Sequence, residues 1–207
     1  MDKFSTLSLN YYNRILNQHG NNFKGMNWSS KKSQYIRFEK LLKISKLENK
    51  SIHDLGCGNA ELLNVLKIKK IKFKNYLGSD LSNKMIQLCN ERFKKNKRIK
   101  FESFDILKKK NLSKYDYVIT SGIFNVKNSI HETYWKKYVF KVIKKMFLSC
   151  KCGIGLNFLT FDTTFREKKL FYMSLDELVK FLRKKISKKI VINHDYDLWE
   201  FTVFIYK

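Results

Sequence analysis

Two carboxylates and a glycine-rich bend form the part of the sequence best suited to chemistry. Asp54 is followed by the bend Gly56-Cys57-Gly58, and a second carboxylate, Asp80, comes 22 residues after Gly58. Glycines let a backbone approach a ligand closely. A carboxylate at the end of the next strand can accept hydrogen bonds from both hydroxyls of a ribose. The spacing therefore predicts a ligand that carries a ribose, held beside the bend.

A nicotinamide or flavin dinucleotide site is the competing interpretation, because such sites use a similar glycine pattern. Asp54 opposes it, since a carboxylate at that position would repel a pyrophosphate. The chain has Ala60 after the bend and lacks the third glycine of a dinucleotide site, and Glu61 adds another negative charge. These residues favour a ligand with a positively charged group.

Further candidate binding residues follow the later predicted strands. Leu81 and Met85 lie where a helix begins after Asp80, and Asp105 and Ile106 follow the third predicted strand. Ser121 and Asn125 follow the fourth predicted strand, Tyr115 to Thr120.

The elements that must position these residues alternate between strands and helices. Apolar runs predict strands at 51–55, 75–79, 100–104, 115–120 and 153–160, and helical periodicity predicts helices at 61–66, 84–93, 134–147 and 174–182. Residues 7–47 look helical apart from a loop at 25–30, and two β-rich runs at 189–193 and 199–206 predict a final antiparallel hairpin. Strands that alternate with helices imply a parallel sheet with helices on both faces.

In this order, the motifs resemble those of class I S-adenosylmethionine-dependent methyltransferases of the small bacterial type. The resemblance implies an α/β fold: a three-layer sandwich whose seven-stranded, mostly parallel sheet ends in an antiparallel C-terminal hairpin strand. Residues 1–50 would form an N-terminal helical cap that contributes to the active site, and residues 51–207 the methyltransferase core, in one structural domain overall.

The resemblance also implies S-adenosyl-L-methionine as cofactor and a role for each binding residue. Asp54 would face the cationic methionine end, Asp80 the ribose, and Asp105 the adenine amino group. Trp28 and Arg37 would close over the cofactor, with Arg37 near its carboxylate. The complete set of expected cofactor-binding residues is Trp28, Arg37, Asp54, Gly56, Cys57, Gly58, Asp80, Leu81, Met85, Asp105, Ile106 and Ser121.

Catalytic residues are less clearly marked, because methyl transfer mainly requires alignment of the acceptor. His131 is the best general-base candidate, since its ordinary pKa lies near neutrality, and Asn125 is the second catalytic candidate. Other residues expected to face the acceptor are Tyr11, Tyr12, Asp162 and Arg166. We expect O- or N-methylation of a small, anionic or sugar-like metabolite, with an RNA methyltransferase or a non-catalytic S-adenosylmethionine-binding module as alternatives.

Composition limits the partners only in part. The 43 Lys and Arg residues against 18 Asp and Glu produce a formal net charge of +25, which would attract anionic partners. Lysine enrichment also arises from AT-rich coding sequences.

With no proline, the chain lacks the Asp/Asn-Pro-Pro-aromatic and Pro-Cys motifs of nucleobase methyltransferases, so a nucleic-acid partner is not favoured. No apolar run predicts a membrane span, no metal site is expected, and four scattered cysteines suggest a reduced, cytoplasmic protein. The sequence leaves the oligomeric state open.

Overall fold

Eight strands and six α-helices alternate along residues 1–207 of the computed structural model. The helices are α1 (Lys3–His19), α2 (Lys31–Leu41), α3 (Glu61–Ile68), α4 (Asn83–Phe93), α5 (Glu132–Leu148) and α6 (Leu175–Lys185), with a short 3-10 helix at Leu42–Ile44. The strands are β1 (Ser51–Leu55), β2 (Asn75–Asp80), β3 (Ile99–Ser103), β4 (Tyr115–Thr120), β5 (Cys150–Thr160), β6 (Tyr172–Met173), β7 (Ile190–Asn193) and β8 (Glu200–Tyr206).

The strands form one mixed sheet in the order β3-β2-β1-β4-β5-β8-β7, and β6 pairs with the end of β5 off this path. The pairs among β1 to β5 are parallel, whereas β8 runs antiparallel to both β5 and β7. The last strand is thus inserted between β5 and β7. We call the edge where β1, β2, β4 and β5 end the carboxyl edge, and the opposite edge the amino edge.

Two apolar layers cover the two faces of the sheet. One layer packs α5 and α6 against it around Trp135, whose indole N–H donates to the backbone oxygen of Phe124 at 2.9 Å. The other packs α2 and α3 against the opposite face around Ile52 and Tyr76. Because both faces of β1 are covered, all five of its residues are buried.

Most of the helices begin at a residue whose side chain caps the first turn. In a chain without proline, these caps define where the helices begin. Ser30, Ser82 and Ser174 accept hydrogen bonds from the first turns of α2, α4 and α6. Asp2 caps α1 by accepting from the backbone N–H of Phe4, so α1 begins four residues before the predicted helical region.

The predicted fold class is confirmed, with the antiparallel C-terminal strand in its expected place. The differences are at the ends of elements: β5 begins at Cys150 rather than Gly153, and the two-residue strand β6 was not expected. All four cysteines are free thiols. No helix combines the length and apolar character needed to cross a bilayer.

Candidate active site

A cavity of about 160 Å³ opens at the carboxyl edge, where β1 and β4 lie side by side and the strand order reverses. Ligands of open α/β sheets bind at this kind of switch point. The loops after β1, β2, β3 and β4 form one side of the cavity, and α1 with the segment after it forms the other. Its charged lining residues are Asp54, Asp80 and Asp105, with no lysine, arginine or histidine. The site is therefore suited to a cationic ligand.

The glycine-rich bend after β1 needs its glycines for both conformation and space. Gly56 and Gly58 have φ values of 73° and 51°, in the left-handed region that glycine adopts readily. A Cβ on Gly56 would lie 2.2 Å from the Ile123 side chain, and one on Gly58 would lie 2.9 Å from the sulfur of Met26. Any larger residue would displace a wall of the cavity.

Asp80 ties this bend to the start of α4. One carboxylate oxygen accepts from the backbone N–H of Gly58 at 3.0 Å, and the other accepts from that of Ser82 at 2.9 Å. Burial raises the pKa of Asp80, while these backbone donors oppose the rise. Each carboxylate oxygen has two lone pairs, so Asp80 retains acceptor capacity for a ligand.

Asp54 is a buried carboxylate beneath the bend. It accepts a hydrogen bond from the hydroxyl of Tyr76 at 2.6 Å. Burial raises the pKa of Asp54 to about 7; the Tyr76 hydrogen bond lowers it, and the charge of Asp80 adds to the rise. Because an adjacent cation favours the ionised form, a positively charged ligand would keep Asp54 ionised.

Helix α1 closes the cavity from above. The hydroxyl of Tyr12 donates to the backbone oxygen of Gly122 at 3.4 Å. The backbone N–H of Asp2 donates to Asp105 at 2.7 Å, and the other oxygen of Asp105 accepts from Leu107 at 2.9 Å. The residues of α1 that line the cavity are Ser5, Ser8, Leu9, Tyr12, Asn13 and Leu16.

The wall after β4 carries neutral polar groups. Asn157 of β5 holds this wall, since its amide N–H donates to Ser121 at 3.2 Å and its amide oxygen accepts from the Gly122 N–H at 3.1 Å. Asn125 also lines the cavity, and its side-chain oxygen is buried without a hydrogen-bond partner. An unpaired buried acceptor is costly, so it marks a place where a ligand could donate a hydrogen bond.

Trp28 forms the side wall next to Gly122. A Cβ on Gly122 would lie 2.6 Å from the indole, so glycine is needed there as well. The Arg37 guanidinium lies over the indole, 4.8 Å from its centroid. Glu200 at the start of β8 accepts from Arg37 through both oxygens, with the Nε–Oε2 distance at 2.7 Å. Trp28 is thus held from behind by a buried ion pair.

The fold brings together most of the residues expected from sequence. Those that line the cavity are Trp28, Asp54, Gly56, Cys57, Gly58, Asp80, Leu81, Met85, Asp105, Ile106, Ser121 and Asn125, together with Tyr12. Arg37 lies outside, where it pairs with Glu200 behind Trp28. His131 is also outside: it is exposed at the N-terminus of α5 and accepts from the Thr133 N–H at 3.3 Å.

Tyr11, Asp162 and Arg166 do not line the cavity. Two residues that sequence reasoning missed, Asn157 and Glu200, support its walls. Asn157 stands between Leu156 and Phe158. Glu200 stands between Trp199 and Phe201, and a polar residue between two apolar neighbours is the signal that could have identified each of them.

Comparison with known proteins agrees with this geometry. A family model described as a methyltransferase domain matches residues 46–190. The Mycobacterium tuberculosis protein Rv1506c, named as a methyltransferase, is 30% identical over 159 residues, which are 76% of this chain and 93% of that protein. The chain belongs to the methyltransferase-domain family. Membership of this family agrees with S-adenosylmethionine as the methyl donor, which the resemblance implied.

Solved structures of low sequence identity share the fold of this methyltransferase. Magnesium protoporphyrin IX methyltransferase from Synechocystis PCC 6803, with bound S-adenosylmethionine, has a TM-score of 0.70 at 15% identity and covers 100% of this chain and 98% of its own. The pyocyanin biosynthetic protein PhzM has a TM-score of 0.66 at 12% identity, covering 95% and 61%. The cavity charge fits the same donor, because three carboxylates suit a sulfonium and an ammonium group and would repel a pyrophosphate.

Proposed function

We propose that S-adenosylmethionine lies along the carboxyl edge, with its ribose on Asp80 and its ammonium group facing Asp54. The glycine bend supports this placement, because it keeps side chains away from the backbone. Leu81, Met85 and Ile106 provide an apolar slot for the adenine. In this arrangement residues 1–50 act as a cap, since α1 lies across the cavity.

Asp105 has a more specific part in this proposal. Its carboxylate already accepts from the Asp2 N–H, which belongs to the start of α1. The adenine amino group would share this acceptor with the helix. Binding of the cofactor and seating of α1 are then coupled through one carboxylate.

We further propose that the acceptor is a small molecule methylated on oxygen or nitrogen, and that its reacting end is neutral. The observation that carries this proposal is the wall formed by Ser121, Gly122 and Asn125, where the buried oxygen of Asn125 has no partner. An amine or hydroxyl that donates to this oxygen would be oriented toward the methyl group. The cavity holds no cationic side chain, so it does not support the anionic end suggested by the net charge.

The protein's contribution to the reaction is alignment rather than strong base catalysis. Asp54, Asp80 and Asp105 would hold S-adenosylmethionine, which would supply an electrophilic methyl group when bound. Burial raises the pKa of Tyr12 above its usual range, so its hydroxyl stays protonated and acts as a donor. Without a histidine or lysine in the cavity, the fitting acceptors are neutral amines and acidic hydroxyls such as phenols.

Calorimetric titration of S-adenosylmethionine tests the cofactor placement. Asp80→Ala should weaken binding at least about tenfold, because it removes charge-assisted hydrogen bonds. Asp162→Ala is the matched control, since Asp162 is an exposed carboxylate near the same edge that does not line the cavity. Equal affinities for the wild type and the Asp80 variant would contradict the placement.

A screen for acceptor-dependent demethylation of the cofactor tests the acceptor class. Neutral amines and phenols should be methylated in preference to matched analogues with a carboxylate or phosphate beside the reacting group. Asn125→Ala should raise KM for the acceptor while leaving the cofactor Kd unchanged. Preference for the anionic analogues, or for RNA, would refute the proposal. Cofactor binding without turnover of any acceptor would favour the non-catalytic module.

A further inference from the structure

The positive charge of the protein is concentrated at the amino edge of the sheet. The connection before β1, residues 45–50, reaches this edge with Lys46, Lys50 and Glu48, and the connection before β4 reaches it as well. The other four connections, at residues 67–74, 94–100, 144–151 and 183–189, each lead from the end of an α-helix to the start of a strand at this edge. Together they contain eighteen of the 43 Lys and Arg residues and no Asp or Glu. We call this surface the basic edge. Enrichment of lysine by coding bias would be spread along the chain, so it does not account for this segregation.

Most lysine and arginine side chains of the basic edge form no ion pair with a carboxylate. Lys69 is the one member that forms an ion pair, with Glu39 on α2. Between the strand starts lies an open groove lined by four lysines, Lys50, Lys74, Lys114 and Lys151. Asp116 is the one carboxylate in this groove, and it accepts hydrogen bonds from the backbone and hydroxyl of Ser51.

The basic edge is too far away to serve the active site. The cavity lies at the other end of strands of five or six residues, which at about 3.3 Å per residue separates the two edges by roughly 15 Å or more. Charges of exposed groups are screened over about 8 Å at physiological ionic strength. The lysines of the basic edge therefore cannot guide an acceptor into the cavity, and their concentration needs another explanation.

Two exposed aliphatic side chains accompany these charges. Ile68 at the end of α3 is 65% exposed and Leu148 at the end of α5 is 58% exposed, one on each side of the sheet. Of the eighteen basic residues, sixteen are lysine, which acts as a point charge, and two are the bidentate donor arginine. No exposed aromatic side chain that could stack on a base lies in the four connections. Lysines around exposed aliphatic side chains suit lipid head groups better than nucleic acid.

We propose that the basic edge docks the methyltransferase on an anionic lipid bilayer. The lysines lie against the negatively charged head groups, while Ile68 and Leu148 enter the interface. Docked in this way, the protein turns its carboxyl edge and active-site cavity toward the water. The bilayer then concentrates the enzyme at a surface without supplying the acceptor, so the proposal is independent of the acceptor class.

Vesicle co-sedimentation tests this proposal directly. The full chain should bind vesicles that contain both phosphatidylglycerol and phosphatidylcholine, and it should not bind vesicles of phosphatidylcholine alone. About 0.5 M NaCl should release it from the anionic vesicles. Each lysine near an anionic surface is worth about a fivefold gain in affinity. A variant that reverses one exposed lysine in each of the four connections should therefore bind on the order of 10² times more weakly or worse. Its substitutions are Lys72→Glu, Lys94→Glu, Lys144→Glu and Lys188→Glu.

A second quadruple variant has the same net charge but leaves the basic edge intact. It reverses exposed lysines of the N-terminal segment and the loop after β5: Lys3→Glu, Lys24→Glu, Lys32→Glu and Lys168→Glu. It should bind anionic vesicles within about tenfold of the wild type, because charges near the opposite edge are screened. Equal losses in the two variants would overturn the proposal, as would failure of the wild type to bind anionic vesicles.

The aliphatic pair separates a bilayer from a nucleic acid. Ile68→Ser with Leu148→Ser keeps every charge and should weaken vesicle binding about tenfold while leaving cofactor affinity unchanged. If the double variant binds vesicles as the wild type does and transfer RNA displaces both proteins from them, the partner is a nucleic acid and the bilayer proposal fails. These serine variants also test the proposal if the charge-reversal variant does not fold.

Discussion

Removal of the Glu200 carboxylate should destabilise the protein far more than the loss of an exposed ion pair. The side chains of Arg37 and Glu200 are 10% and 1% exposed, so Glu200→Ala leaves a guanidinium charge buried without its partner. Breaking a buried pair in this way costs about 3–5 kcal/mol. For a domain of this size, that corresponds to a fall in Tm of roughly 6–20 °C. One nitrogen of Arg37 already lacks a partner, so no spare acceptor is present to compensate.

Thermal unfolding followed by circular dichroism measures the effect. Glu39→Ala is the matched control, because it breaks the Lys69–Glu39 pair, whose side chains are 40% and 45% exposed. That pair should contribute about 0–1 kcal/mol. The double variant Arg37→Met with Glu200→Leu removes both charges and should regain most of the lost stability. Small and equal falls in Tm for Glu200→Ala and Glu39→Ala would refute the reasoning.

The same double variant separates stability from function. It should fold, yet it lacks the guanidinium that supports the indole of Trp28, a cation–π contact worth about 0.5–2 kcal/mol. We therefore expect the Kd for cofactor or the KM for acceptor to rise roughly 2- to 30-fold in a stable protein. Unchanged constants would mean that the Arg37–Glu200 pair serves stability alone.

Three further predictions concern single residues of the site. The pKa of Asp54 is raised to about 7, and protonated Asp54 cannot pair with an ammonium group. Cofactor affinity measured by calorimetry should therefore rise from pH 5.5 through 7 and level off about one pH unit above the pKa; Asp54→Asn should abolish this dependence. Gly122→Ala should lower the free energy of unfolding, measured in urea, by more than Gly20→Ala does. Both glycines have positive φ, at 75° and 72°, so the conformational strain is similar. A Cβ at Gly122 would collide with the Trp28 ring, whereas a Cβ at Gly20 would have no atom within 4 Å. His131→Ala should change kcat by less than about twofold, because His131 lies outside the cavity; a fall of about 10² or more would reinstate it as a general base.

The part of the site that we propose binds the cofactor was largely predictable from sequence. The glycine bend, Asp54, Asp80, Asp105 and the start of α4 are local features, since each stands where a strand ends. In a parallel sheet, such ends meet at one edge. A correct list of strands therefore predicts which of these residues lie together, without knowledge of individual contacts.

The wall that we propose faces the acceptor was less predictable, because distant segments build it. Asn157 supports the wall after β4 only through the pairing of β4 with β5. His131 has the chemistry of a base, and its position at the start of α5 turns it away from the cavity. Neither fact follows from residue type or spacing.

Residue order by itself determined the alternation of elements, the glycine bend and the acids beside it, because periodicity and backbone freedom act over short distances. Only the tertiary structure decided where the charges lie. The net charge of +25 suggested an anionic acceptor, yet the folded chain lines its cavity with carboxylates and concentrates lysines at the opposite edge. Electrostatic attraction depends on distance and screening. The net charge counted from the sequence therefore could not show which surface attracts anionic partners.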